Sequence, residues 1–302
     1  MTSRTKLIFI FILGMIAGVL VISQLAFREK EKKEATAANA NIKFNAPELP
    51  KSMSFAGEKV PLERQDVQEM FDRELIYNTY SQGHILYLIK LSKRFFPIIE
   101  QRLKMQGVPD DFKYLCVAES NLQNLTSAVG AQGYWQFMTS TAPGFNLEVN
   151  KDVDERFNIE KSTDAACKYL KQAYAKFGNW TAAAASYNCG QGGYNAQVTF
   201  QKTSNYYDLQ LPVETNKYIF RILSFKHLFT NAEQLGFHLT TDDLYKEIPT
   251  KKITVTASIP NLADWATANG SNYKMLKLLN PWLRSRSLAV KTGKSYEIKL
   301  PA

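Results

Sequence analysis

From Leu7 to Phe27 the chain reads LIFIFILGMIAGVLVISQLAF, a run in which only Ser23 and Gln24 are clearly polar. A hydrocarbon core takes about 20 apolar residues in helical form, so the run is long enough to span a bilayer. It lacks the short apolar core and small-residue cleavage site of an exported leader. An uncleaved membrane helix is therefore expected, with a cleaved signal and a buried core helix as lesser alternatives. The flanks do not set its direction, because Arg4 and Lys6 precede it while Arg28, Lys30, Lys32 and Lys33 follow. Residues 1–34 read as the anchor with its charged flank, and residues 35–60, broken by Pro47 and Pro50, read as a linker.

Beyond the linker the apolar residues repeat at helical spacing, in segments from Gln65 to Tyr80, from His84 to Met105 with an interruption at Pro97, and from Asp110 onward. Ser162 or Thr163 can cap a helix whose inward face is Ala166, Tyr169, Leu170, Ala173 and Phe177, stopping at Gly178. An alanine-rich helix, Trp180 to Tyr187, is broken by the GQGG of Gly190 to Gly193, and further helices follow near Tyr194 to Phe200 and Thr215 to Phe229. After Pro249 the pattern becomes strand, two short helices and strand, ending in SYEIKL. The chain is thus expected to be mainly α over residues 61–236, with a small βααβ module at 250–302.

A hydrophobic content of 45% over 302 residues excludes disorder throughout. The net charge of +9 suits an anionic surface or polymer but is equally the mark of a solvated surface. Cys116, Cys167 and Cys189 are odd in number and lack CxxC spacing, so buried free thiols are expected. His84, His227 and His238 have no ligand spacing with them. No cofactor, metal or nucleic-acid partner is expected.

One position stands out chemically. After Pro109, with Asp110 as a candidate N-cap, Phe112, Leu115, Cys116 and Glu119 fall at i, i+3, i+4 and i+7, which puts Glu119 on the apolar face. Burial and the negative end of the helix dipole both favour a protonated carboxyl. That is the state a general acid needs to protonate a glycosidic oxygen. An ordinary ion pair, or exposure at the helix end, is the competing reading. About a dozen residues on, GAQGYWQFM (Gly130 to Met138) combines glycines, aromatics and an amide suited to a sugar cleft, with core packing the alternative for Trp135. SYNCG, Ser186 to Gly190, adds Tyr187 and Asn188 as possible orienting groups.

In order, Glu119-Ser120, Gly133-Tyr134-Trp135-Gln136 and Ser186-Tyr187-Asn188 resemble the three signature motifs of the family 1 lytic transglycosylases. The usual GLMQ is here Gly-Tyr-Trp-Gln, and the usual AYN is Ser-Tyr-Asn. The resemblance covers roughly Pro61 to Leu235 and implies a lysozyme-like catalytic domain facing the periplasm. Its implied partner is peptidoglycan, cut without water between N-acetylmuramic acid and N-acetylglucosamine to leave a 1,6-anhydromuramyl end. Glu119 would then be acid and afterwards base, Ser120 would position it, and Gly133, Tyr134, Trp135, Gln136, Tyr187 and Asn188 would bind or orient the glycan. Residues Lys252 to Pro301, especially LKLLNPWLRS, are similar to the glycan-binding LysM module. The glycine-aspartate usual after its first strand is replaced by Ser258-Ile259-Pro260, and a structural cap is the other reading. The rival functions are a lysozyme-type hydrolase, with Asp110, Asp111, Glu148 or Asp152 as second carboxylate, and an inactive wall-binding anchor.

Overall fold

The computed structural model describes residues 22–30 and 45–302. Residues 1–46 and 47–302 form two separate units. In the first, residues 22–30 are helical (α1) with every residue exposed. Among the described residues no helix is long and apolar enough to cross a membrane. The membrane helix expected from Leu7 to Phe27 falls mostly outside the described residues.

The second unit opens where a linker is expected, with a hairpin of β1 (Met53–Phe55) and β2 (Glu58–Val60) turning at Ala56 and Gly57, both at positive φ. Phe55 and Val60 enter the core, so this end of the expected linker is part of the folded body. Helices α2 (Gln65–Tyr80), α3 (Gln82–Gln106), α4 (Phe112–Ser120), α5 (Ile159–Phe177), α6 (Trp180–Gln201) and α7 (Val213–Thr230) follow. Helix α2 packs on α7, α3 on α5, α5 on α6, and α4 on α7. Their shared core includes Phe71, Leu75, Ile85, Leu88, Ile99, Leu103, Leu115 and Leu170.

Several local expectations are revised. Pro97 sits inside α3 without ending it. Helix α5 starts earlier than Ser162: the N-cap is Asn158, whose Oδ1 accepts from the Glu160 and Lys161 amides, while the Ser162 and Thr163 hydroxyls donate back to the Asn158 and Ile159 carbonyls. Asp110 does not cap α4, since Asp111 precedes it and spends its Oδ2 on the Ala56 amide, at 2.7 Å, and on Lys226. In α6 the expected break is a kink at Gly190, at φ 77° and ψ 146°, beyond which helix resumes at once.

Two strands, β3 (Thr250–Val255) and β4 (Tyr296–Pro301), pair antiparallel around α8 (Leu262–Ala268) and α9 (Tyr273–Leu279). This is the expected βααβ module. Its core of Val255, Leu262, Leu276, Leu283, Ile298 and Leu300 also takes in Val153 and Phe157 from the helical domain. Cys116 and Cys167 are buried, Cys189 is partly so, and all three are free thiols.

Candidate active site

Helix α4 is short and buried along most of its length, with Phe112, Tyr114, Leu115, Cys116 and Val117 all in the core. It ends at Asn121 in the left-handed conformation, followed by Leu122 in the same region. Glu119, one residue before the helix end, lies largely enclosed with some surface still open to solvent. Its Oε1 accepts a short hydrogen bond from the Tyr218 hydroxyl of α7. Burial pushes the carboxyl up to about 7, against the Tyr218 hydrogen bond and the positive charge of Arg221, which pull it down, while Glu214 pushes it further up. The buried Tyr218 phenol is itself held well above its ordinary value, so it remains a donor. Near neutrality this carboxyl stands at the midpoint of titration, able to give or take a proton.

The segment 132–137 lies against the end of α4. The Ser120 hydroxyl donates to the Tyr134 carbonyl oxygen at 2.6 Å, so it ties the helix to this loop and does not meet the Glu119 carboxyl. Gly133, at φ 83°, packs so closely on the next layer that a Cβ would stand 1.9 Å from the Arg156 carbonyl oxygen. Gln136 also has positive φ, 49°, and holds it by donating its amide to the Gly133 and Leu125 carbonyls at 2.7 and 3.1 Å.

The aromatics serve as packing. Trp135 is 0% exposed and its indole donates to the Thr163 hydroxyl at 2.9 Å, so its face cannot meet a sugar, contrary to the expectation. Tyr134 is likewise buried, its ring 5.2 Å from that of Phe95. Tyr187 donates its hydroxyl to the Trp135 carbonyl at 2.7 Å and sits among the rings of Trp135, Phe137 and Tyr169. Burial and the neighbouring Glu119 charge keep its phenol protonated. Asn188 accepts at Oδ1 from the Thr215 hydroxyl of α7, 2.8 Å away.

Three α7 residues at this site, Tyr218, Thr215 and Arg221, match no motif in the sequence. Only the spacing of Glu214, Tyr218 and Arg221 at i, i+4 and i+7 places them on one face of the helix. The candidate second carboxylates are committed elsewhere. Asp110 pairs with Lys113, Asp111 with Lys226, Glu148 with Lys294 and the Tyr296 hydroxyl, and Asp152 accepts from the Ala289 amide. Among the described residues no His, Cys, Asp or Glu group of three could hold a metal.

Two segments of the chain match known domain families. The profile of the transglycosylase SLT domain matches residues 96–210, and that of the soluble lytic transglycosylase C-terminal LysM-like domain matches residues 251–302. The chain is 26% identical over 204 residues, 66% of its length, to membrane-bound lytic murein transglycosylase D of Escherichia coli K12, with the same figures for that of Escherichia coli O6:H1. It spans 44% of the length of these relatives. Residues 96–210, which carry Glu119, are thus identified as a transglycosylase SLT domain, and residues 251–302, the βααβ module, as a LysM-like domain of the soluble lytic transglycosylase type.

Proposed function

We propose that the chain is a peptidoglycan lytic transglycosylase with a lysozyme-like catalytic domain. The reading rests on Glu119, a carboxyl raised to about 7 at the end of a buried helix, with the Tyr218 phenol as its hydrogen-bond donor. Glu119 first gives its proton to the glycosidic oxygen as the bond from muramyl C1 breaks. As carboxylate it then takes the proton of the muramyl C6 hydroxyl while that oxygen closes on C1. Glu119 ends protonated, and no water is consumed.

Asn188, whose Oδ1 is occupied by Thr215, would offer its amide hydrogens to the substrate, where the acetamido group helps carry the developing positive charge. Ser120, Gly133, Tyr134, Trp135, Gln136 and Tyr187 act one step back, as the rigid layer that holds Glu119 and its neighbours in place. The name of the relatives, membrane-bound lytic murein transglycosylase D, accords with an enzyme anchored by residues 1–34 and working in the periplasm on the cell wall.

Purified peptidoglycan digested by the full chain, wild type against Glu119→Gln, tests this by mass spectrometry of the released muropeptides. The expected products are 1,6-anhydromuramyl species, lost in the variant. Reducing-end products would make the chain a hydrolase. Sedimentation with peptidoglycan but no release of fragments by the wild type would make it a wall-binding anchor.

A further inference from the structure

The module is not tethered beside the helical domain; it grips one segment of it. Across residues 148–157, the Asp154 amide donates to the Trp282 carbonyl at 2.9 Å and the Arg284 amide to the Asp152 carbonyl at 2.7 Å, beside a bridge between Val153 and Leu283. Glu148 takes Lys294 and the Tyr296 hydroxyl, and the Arg284 guanidinium lies 4.1 Å above the Phe157 ring. Val153 and Phe157 complete the module's core.

From the middle of this gripped segment Arg156 reaches into the catalytic domain. It is 3% exposed. Nε and Nη2 donate to the two oxygens of Asp154 at 2.9 and 2.7 Å. The remaining hydrogens go to the Gln132 Oε1 at 2.6 Å, the Thr139 hydroxyl at 2.8 Å and the Phe137 carbonyl at 3.2 Å. All the donors of the guanidinium fork are thereby used, and three of the acceptors lie in residues 132–139, on either side of the Gly133 to Gln136 motif. The Arg156 carbonyl is also the group against which Gly133 packs. This loop in turn holds the end of α4 through Ser120 and the Tyr187 hydroxyl through Trp135.

We propose that the C-terminal module is an intramolecular brace for the catalytic loop, with Arg156 as the positioning residue through which its docking sets turnover. The inference rests on the transglycosylase reading for its effect on rate, but not for the mechanical coupling. The chain's own 148–157 segment thus engages the Trp282 to Arg284 turn together with Lys294 and Tyr296 of the module.

The test uses the full chain, with Arg284→Ala/Lys294→Ala loosening the docked face from the module side and Arg156→Lys keeping the charge beside Asp154 but losing the fork. Backbone hydrogen exchange is followed in 132–139, in 148–157 and in β3 and β4, together with kcat and KM on purified glycan strands. In both variants, exchange in 132–139 is expected to rise roughly tenfold, as for a locally freed segment. A misplaced catalytic loop is expected to lower kcat about tenfold with KM unchanged. Wild-type exchange in 132–139 despite a loosened 148–157 segment would overturn the brace, as would an unchanged kcat with raised KM, the mark of a glycan-capturing module. If the double variant also unprotects β3 and β4, Tyr296→Phe, which removes only a hydroxyl from Glu148, takes its place with the same criteria. Because exchange needs no turnover, a wild type that cleaves nothing would overturn the transglycosylase reading while the exchange result still decides the brace.

Discussion

At Glu119 burial and a hydrogen bond oppose each other, and burial prevails. Its folded value of about 7 lies above the ordinary 4.5, so the folded state holds this proton more tightly than the unfolded chain does. The resulting stability is fully present below pH 4.5 and is lost as pH rises through 7. Glu119→Gln, neutral throughout, should therefore gain on the wild type across that window, by at most 3–4 kcal/mol at about 1.4 kcal/mol per pKa unit. Melting curves of both proteins at pH 5 and pH 8 check this: the advantage must grow toward the alkaline side. Turnover should fall as pH climbs past 7, where the acid is spent. Tyr218 favours the charged form by donating to it, so Tyr218→Phe should move the alkaline limb of the pH–rate profile upward while lowering the rate at the optimum. A limb that stays in place, or moves down, would show that the phenol does not control this proton. Gly133→Ala meets both a positive φ and the Arg156 carbonyl, and a loss of about 3 kcal/mol or more in urea unfolding is expected.

At the level of elements, the readable features were those with a long or strong period. Helices α3, α5 and α7 announced themselves through repeated apolar positions, and Glu119 stood out because it fell on such a face. Pro249 and the switch from period 3.6 to period 2 marked the module. Strands β1 and β2 are three residues each, too short for any pattern, and so passed as linker. Yet Glu58 in β2 caps α6, accepting from the Trp180 and Thr181 amides at 2.6 and 2.9 Å and from the Thr181 hydroxyl at 2.6 Å. Glu58→Ala should cost about 1–2 kcal/mol in a denaturant titration, the range for a lost helix cap. A segment that merely links would show no change. Trp135 and Tyr187 were read as candidate cleft aromatics, yet both are committed to packing, since composition cannot distinguish an aromatic that faces a cleft from one that lies behind it. Tyr218 and Thr215 escaped notice because their relation to Glu119 and Asn188 exists only after α7 has packed on α4 and α6.

For the whole molecule, a hydrophobic core that draws Val153 and Phe157 into the C-terminal module makes the two domains thermodynamically hard to separate. Calorimetry of the full chain should give one cooperative transition for residues 47–302, and two resolved peaks would contradict it. The pairing of Glu148 with Tyr296, 148 positions apart, also has a bearing on time. Contacts so distant along a chain close late in folding, and a ribosome delivers Tyr296 long after the helices around Glu119 have emerged. A chain interrupted during synthesis would thus carry Glu119 on a finished helix while the neighbouring 132–139 loop still lacks the module behind it, and on the brace proposal full activity arrives only once the last strand has been made.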